Sequence, residues 1–191
     1  AHTVNHKILS TLSDFEAMKE LVDSKEILEK IVGKQVKVFC FPRGDYNERT
    51  IELVRKADFI GARTVKKLSF ILPKDQFQME VSINAAPFPL RKKDASSYYC
   101  ARILDPIKSY IPKILSMPSM WAKLFSWKML SNGFYDYAIR NGDYFHLFGH
   151  SWELEKYGMW HELESFLKFV KEHKNVIYLS NSEIIENVVD N

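Results

Sequence analysis

The run VKVFCF, residues 36–41, is a short block of β-branched and aromatic residues that stops at Pro42-Arg43-Gly44. Helix signals lie on both sides of it. Upstream, "LSTLSDFEAMKELVDSKEILEKIVGK" carries a Ser13-x-x-Glu16 capping box ahead of an apolar stripe at Met18, Leu21, Val22, Leu28, Ile31 and Val32. Gly33 is suited to end that helix. Downstream, Asn47 caps a second helical run, "ERTIELVRKA", and a short extended "FIGART" follows. Strand, turn and helix in this succession confine the chain to an α/β protein with a largely parallel sheet.

Beyond Lys66 the pattern is less regular. "LSFIL" and "FQMEVSI" have the composition of strands, and "NAAPFPLRKKDASSYY" that of a loop. "PSMWAKLFSWKMLSNGFYDYAIRNG" reads as mostly helical, and "DYFHLFGH" as a strand. In "GMWHELESFLKFVKEH" the spacing predicts a helix with Trp160, Leu163, Phe166, Leu167 and Val170 on one face. "NVIYLSNSEIIENVV" predicts a strand, a Ser180-x-x-Glu183 capping box and a closing helix. The length of 191 residues suits a single domain spanning 1–191.

Charge excludes some functions. The net charge is +3 and the basic residues are interspersed with 24 acids, so "VKKLSF" and "RKKDA" read as solvated faces and not as a nucleic-acid surface. No apolar run reaches membrane-spanning length and no secretory leader is visible. Compartment stays open, with a slight lean to the cytoplasm. Cys40 and Cys100 sit among apolar and aromatic neighbours and read as buried thiols in preference to a disulfide.

The chemistry concentrates at strand-to-loop junctions, where α/β folds assemble their sites. His2 and His6 stand four apart, a spacing that on a helical turn would put both rings on one face to grip a divalent ion. "FCFPRGDYN" puts a Pro-x-Gly turn directly after a strand, and "FHLFGHSWELE" puts His146, His150 and Glu153 at the end of another.

In this order, H-T-x-x-H, a helix, F-x-F-P-x-G-x-Y-N and a late strand ending in His, the chain resembles the polysaccharide deacetylase (NodB-homology, carbohydrate esterase family 4) domain. The resemblance implies a distorted (β/α) barrel. It also implies that His2 and His6 are ligands of a divalent metal, most simply Zn2+, whose third ligand is an Asp. In the family that Asp comes from an Asp-Asp motif upstream of the histidine pair, and the other Asp is the general base. No Asp-Asp pair occurs in this sequence, so the chain is expected to lack the family's N-terminal βα units, a loss that would expose apolar surface and favour association.

The implied reaction is hydrolysis of acetyl groups, N-acetyl above O-acetyl, from a carbohydrate by metal-activated water. The Arg43 backbone N–H would stabilise the oxyanion, and His146 or His150 would protonate the leaving group. His146 is favoured because it follows "DYF" directly. Pro42, Gly44, Tyr46 and Trp152 are the substrate-contacting candidates. The alternative is a catalytically silent carbohydrate-binding or interaction domain on the same scaffold.

Several positions depart from the family pattern. Cys40 stands where many members carry an Arg that orients the catalytic Asp, and Arg43 occupies a slot that is often aromatic. The usual Asp-Trp motif is not recognisable, although Glu153 could serve as a histidine's carboxylate partner in its place. The aromatic segment around Trp121, Phe125, Trp127, Phe134, Tyr135 and Tyr137 reads as core in preference to a sugar-stacking platform.

Overall fold

The computed structural model describes residues 1–87, 108–124, 126–141 and 144–189. The chain forms two compact units, Ala1–Lys66 with Leu72–Glu80 and Tyr178–Asn191, and Lys67–Ile71 with Val81–Ile177.

In the first unit, helix α1 (Asp14–Val32) begins at the Ser13–Glu16 capping box and ends at Gly33, whose φ of 68° terminates it in the left-handed conformation. Strand β1 (Val38–Cys40) follows. Helix α2 (Glu48–Lys56) is capped by Asn47, whose side chain accepts from the Thr50 N–H while Thr50 Oγ1 takes the Asn47 N–H. Strand β2 (Gly61–Arg63) then pairs with β1 in parallel, Val38 opposite Gly61 and Cys40 opposite Arg63. On the other edge of β1, Cys40 N–H donates to Ala1 O at 2.9 Å and the Ala1 nitrogen donates to Val38 O at 2.8 Å. That is the bonding of a parallel neighbour. A parallel bridge from Arg63 to Met79 extends the array past β2.

Leu9, Ala17, Leu21, Phe39, Phe41, Ile51 and Val54 fill the core between the helices and these strands. The α1 stripe is only partly buried. Leu21 faces the core, whereas Ile31 is 74% exposed, because the last turn of α1 runs beyond the elements that would cover it. Lys25 is buried instead, and its Nζ donates to the carbonyls of Ala57 and Asp58 at the C-terminal end of α2. Helix α7 (Asn181–Val189) belongs to this unit, and Ser180 and Glu183 form the expected reciprocal bonds at its start.

The second unit contains parallel strands β3 (Ile83–Ala85) and β4 (Leu147–Gly149), with Asn84 opposite Phe148. Its helices are α3 (Ile111–Leu115), α4 (Trp127–Asn141), α5 (Ser151–Lys156) and α6 (Trp160–Lys171). Ile83 and Ala85 join Tyr110, Trp127, Leu130, Phe134 and Ala138 in one core. Five expectations fail beyond Lys66. "LSFIL" forms no strand: Leu68 sits at φ 70°, and the segment makes scattered backbone bonds to Val81, Ser82 and Tyr144. "FQMEVSI" contributes an isolated bridge at Met79 and reaches a strand only at Ile83, while Asn84 and Ala85, read as loop, are in that strand. "NVIYL" stays outside any ladder, with Ile177 84% exposed. On α6 only Phe166 and Val170 of the predicted face are buried; Trp160 faces solvent and donates its indole N–H to Glu155. Residues 88–99 of the predicted loop, together with Cys100 and Phe125, lie outside the described residues.

Candidate active site

His2 follows directly on the Ala1 pairing with β1, so it stands at the carboxyl end of a parallel array, the usual place for a site in open α/β sheets. Residues 2–8 are not helical, which corrects the reason given for bringing His2 and His6 together. Their rings nevertheless lie 4.7 Å apart, edge to face. A tight turn does this, with Thr3 and His6 in the left-handed region at φ 58° and 54°. Thr3 is β-branched, so that conformation is strained.

Hydrogen bonds hold the strained turn. The Val4 and Asn5 N–H groups donate to Glu20 Oε2 at 2.9 and 3.0 Å, and Asn5 Nδ2 donates to Glu20 Oε1 at 2.7 Å. Burial raises the Glu20 pKa, but these bonds from Asn5 and Val4 outweigh it and the net shift is downward. No motif pointed to Glu20, because on α1 it reads as one more charge of a solvated helix face.

His2 donates its Nδ1–H to the Cys40 carbonyl at 2.6 Å, which leaves Nε2 as the ring's lone-pair nitrogen. Burial lowers its pKa; the Cys40 bond opposes this, and the charges of His6 and Arg63 add to the lowering. A neutral imidazole with one nitrogen fixed by a backbone carbonyl is the form that ligates a metal. His2 and His6 therefore suit two ligand positions of a divalent cation. Among the described residues no group of three or more His, Cys, Asp or Glu side chains is arranged to hold a metal ion.

Beside this pair, Pro42–Gly44 forms a single 3-10 turn after β1. Arg43 takes φ 57° there, its side chain is exposed, and among the described residues its N–H donates to no acceptor. Gly44 has φ 70°, and a Cβ at that position would lie 2.2 Å from Val65 Cγ2. Tyr46 stacks on Phe41 at 5.2 Å and donates to Gln78 Oε1 at 3.1 Å, so one ring face is already covered. Cys40 is a free thiol. Its Sγ accepts from Arg63 Nη2 at 2.8 Å, and burial raises its pKa against the opposing charge of Arg63. A guanidinium thus reaches the Cys40 position from β2, which sequence spacing alone did not reveal.

In the second unit, His146 precedes β4 and His150 follows it. Phe145 and Leu147 pack against the helical core, so strand alternation turns His146, Phe148 and His150 to the opposite face. His146 Nδ1 lies 2.6 Å from Tyr144 Oη, and the His146 backbone N–H donates to Ser82 Oγ at 2.9 Å. His150 is exposed at the carboxyl end of the strand, with Nδ1 2.9 Å from Oε2 of the buried Glu153. The exposed Trp152 lies 6.0 Å from the His150 ring. Trp127, Phe134 and Tyr135 are core residues, as composition suggested, whereas Trp121 is 51% exposed.

The class defined by this fold is an α/β protein with polar groups gathered at strand carboxyl ends. A structure from Mycobacterium smegmatis, named as a polysaccharide deacetylase, matches it with TM-score 0.67 at 16% identity, over 99% of this chain and 62% of that chain. That likeness establishes the fold. The polysaccharide deacetylase family model matches residues 1–62, the third of the chain that holds His2, His6 and the Pro42–Gly44 turn. The Bacillus subtilis (strain 168) protein YxkH, named for the same activity, is 29% identical over 59 residues, 31% of this chain and 21% of that protein. A polysaccharide deacetylase structure from Bacillus cereus is 30% identical over 43% of this chain and 26% of that one, with TM-score 0.38. The chain thus spans about a fifth of the length of the curated relative it matches.

Proposed function

We propose that this chain is part of a polysaccharide deacetylase, a metal-dependent hydrolase that removes acetyl groups, chiefly N-acetyl, from a carbohydrate. The observation that carries the reading is the pairing of His2 and His6 at 4.7 Å beside the strained Pro42–Gly44 turn, with His2 Nδ1 held by the Cys40 carbonyl. In this reading the parallel segments are strands of a distorted (β/α) barrel, and the third ligand and the base are the two Asp residues that the family carries ahead of its histidine pair.

A divalent cation, Zn2+ by its preference for imidazole and carboxylate ligands, would supply Lewis-acid polarisation and a water acidic enough to lose a proton near neutral pH. His2 presents its Nε2 lone pair, because the Cys40 carbonyl takes the Nδ1 proton and burial favours the neutral ring, and the His6 ring stands beside it. The Arg43 N–H, without an acceptor of its own among the described residues, donates to the oxygen on which negative charge develops. Within the second unit, His150 has the setting of a general acid: it stands at the carboxyl end of β4, is exposed, and has the Glu153 carboxylate on Nδ1 to fix its ring. The His146 ring already meets Tyr144 Oη through Nδ1. None of the described helices is long and apolar enough to cross a membrane.

The test is acetate release by the full-length protein from N-acetylated and O-acetylated oligosaccharides. Release that stops on chelation and returns with Zn2+ is the expected result. No release from the Zn2+-loaded protein overturns the reading and leaves a carbohydrate-binding domain on the same scaffold.

A further inference from the structure

Glu20 is 7% exposed, and a buried carboxylate is retained only where its lone pairs are taken up by donors. All three donors it receives come from Val4 and Asn5, the two residues between His2–Thr3 and His6. Lys7 adds its ammonium at 3.9 Å. The clamped turn is the one strained at both ends, at Thr3 and His6. Released from Glu20, these two residues would relax toward negative φ, and the His6 ring would swing away from His2. A neutral side chain could anchor the turn to α1, but a carboxylate also places negative charge beside a cation site.

We propose that Glu20 is the positioning residue of the cation site, setting the separation of His2 and His6 from α1. The inference rests on the reading of His2 and His6 as ligands.

The experiment is calorimetric titration of the full-length protein with Zn2+, with the imidazole resonances of His2 and His6 followed by NMR. Glu20→Gln keeps the shape but cannot accept from all the donors, since an amide offers one oxygen. It should weaken Zn2+ binding by about 10- to 100-fold. Asn5→Ala, which leaves α1 untouched, should weaken it by a smaller factor. Arg49→Ala removes bonds to Asp14, Leu9 and Leu12 elsewhere on the same unit; it should lower the melting temperature and leave Zn2+ affinity unchanged. Wild-type affinity in Glu20→Gln, or an equal loss in Arg49→Ala, overturns the role of Glu20 and spares the ligand assignment. A full-length wild-type protein whose His2 and His6 resonances ignore Zn2+ overturns both.

Discussion

His2 Nδ1 lies 2.6 Å from the Cys40 carbonyl oxygen, and this bond ties the first histidine to the carboxyl end of β1. Burial, with help from the charges of His6 and Arg63, outweighs that bond and holds the imidazole below its ordinary value of 6.5. The His2 ring should therefore titrate by NMR with a midpoint below 6.5. Its protonation on acidification should weaken cation binding, since proton and metal compete for the same nitrogen. A midpoint at or above 6.5 would contradict the burial argument.

Glu20 gives a second pH dependence with a definite sign. Its folded pKa lies below the ordinary 4.5, so the unfolded chain binds the proton first. The stabilisation is fully present above 4.5 and is lost as pH falls through the folded value. In chemical denaturation, wild type should exceed Glu20→Gln in stability at pH 7, and the gap should close in acid. A gap that is the same at pH 7 and in strong acid would show that the carboxylate charge is irrelevant.

The turn after β1 yields a steric prediction. Gly44→Ala meets both a positive φ and a 2.2 Å approach to Val65 Cγ2, and should destabilise by about 2 kcal/mol or more. Val65→Ala in the same background should recover part of the loss. Arg43→Gly, which relieves the left-handed strain and keeps the backbone N–H, should leave the melting temperature unchanged or raise it.

The aromatic segment divides cleanly. Phe134 is fully buried, and Phe134→Ala should cost about 3–5 kcal/mol. Trp121→Ala, at a half-exposed position, should change stability by roughly 0.5 kcal/mol or less. Comparable losses for the two would mean that the core boundary is misplaced.

Local rules made much of this legible in the sequence. Ser13–Glu16, Asn47–Thr50 and Ser180–Glu183 are capping pairs whose donors and acceptors lie within one turn, so spacing alone locates them. Gly33 and the Pro42–Gly44 turn follow from backbone freedom at glycine and the fixed φ of proline. Long-range choices were not legible. "LSFIL" and "NVIYL" have strand composition, yet a strand also needs a partner with a free edge. The proximity of His2 and His6 was foreseen on a helical spacing that does not exist; the turn held by Glu20 produces it. Glu20 and Arg63 depend on neighbours brought by the fold, whereas Glu153, three residues from His150, was legible as a histidine's carboxylate partner and lies 2.9 Å from His150 Nδ1.

The most direct measurement of the central claim is X-ray absorption at the zinc edge of the Zn2+-loaded protein, compared with His2→Ala and His6→Ala. The account predicts two imidazole nitrogens at roughly 2.0–2.1 Å, with one lost in each variant. A spectrum without imidazole scattering, or one that neither substitution changes, would contradict it.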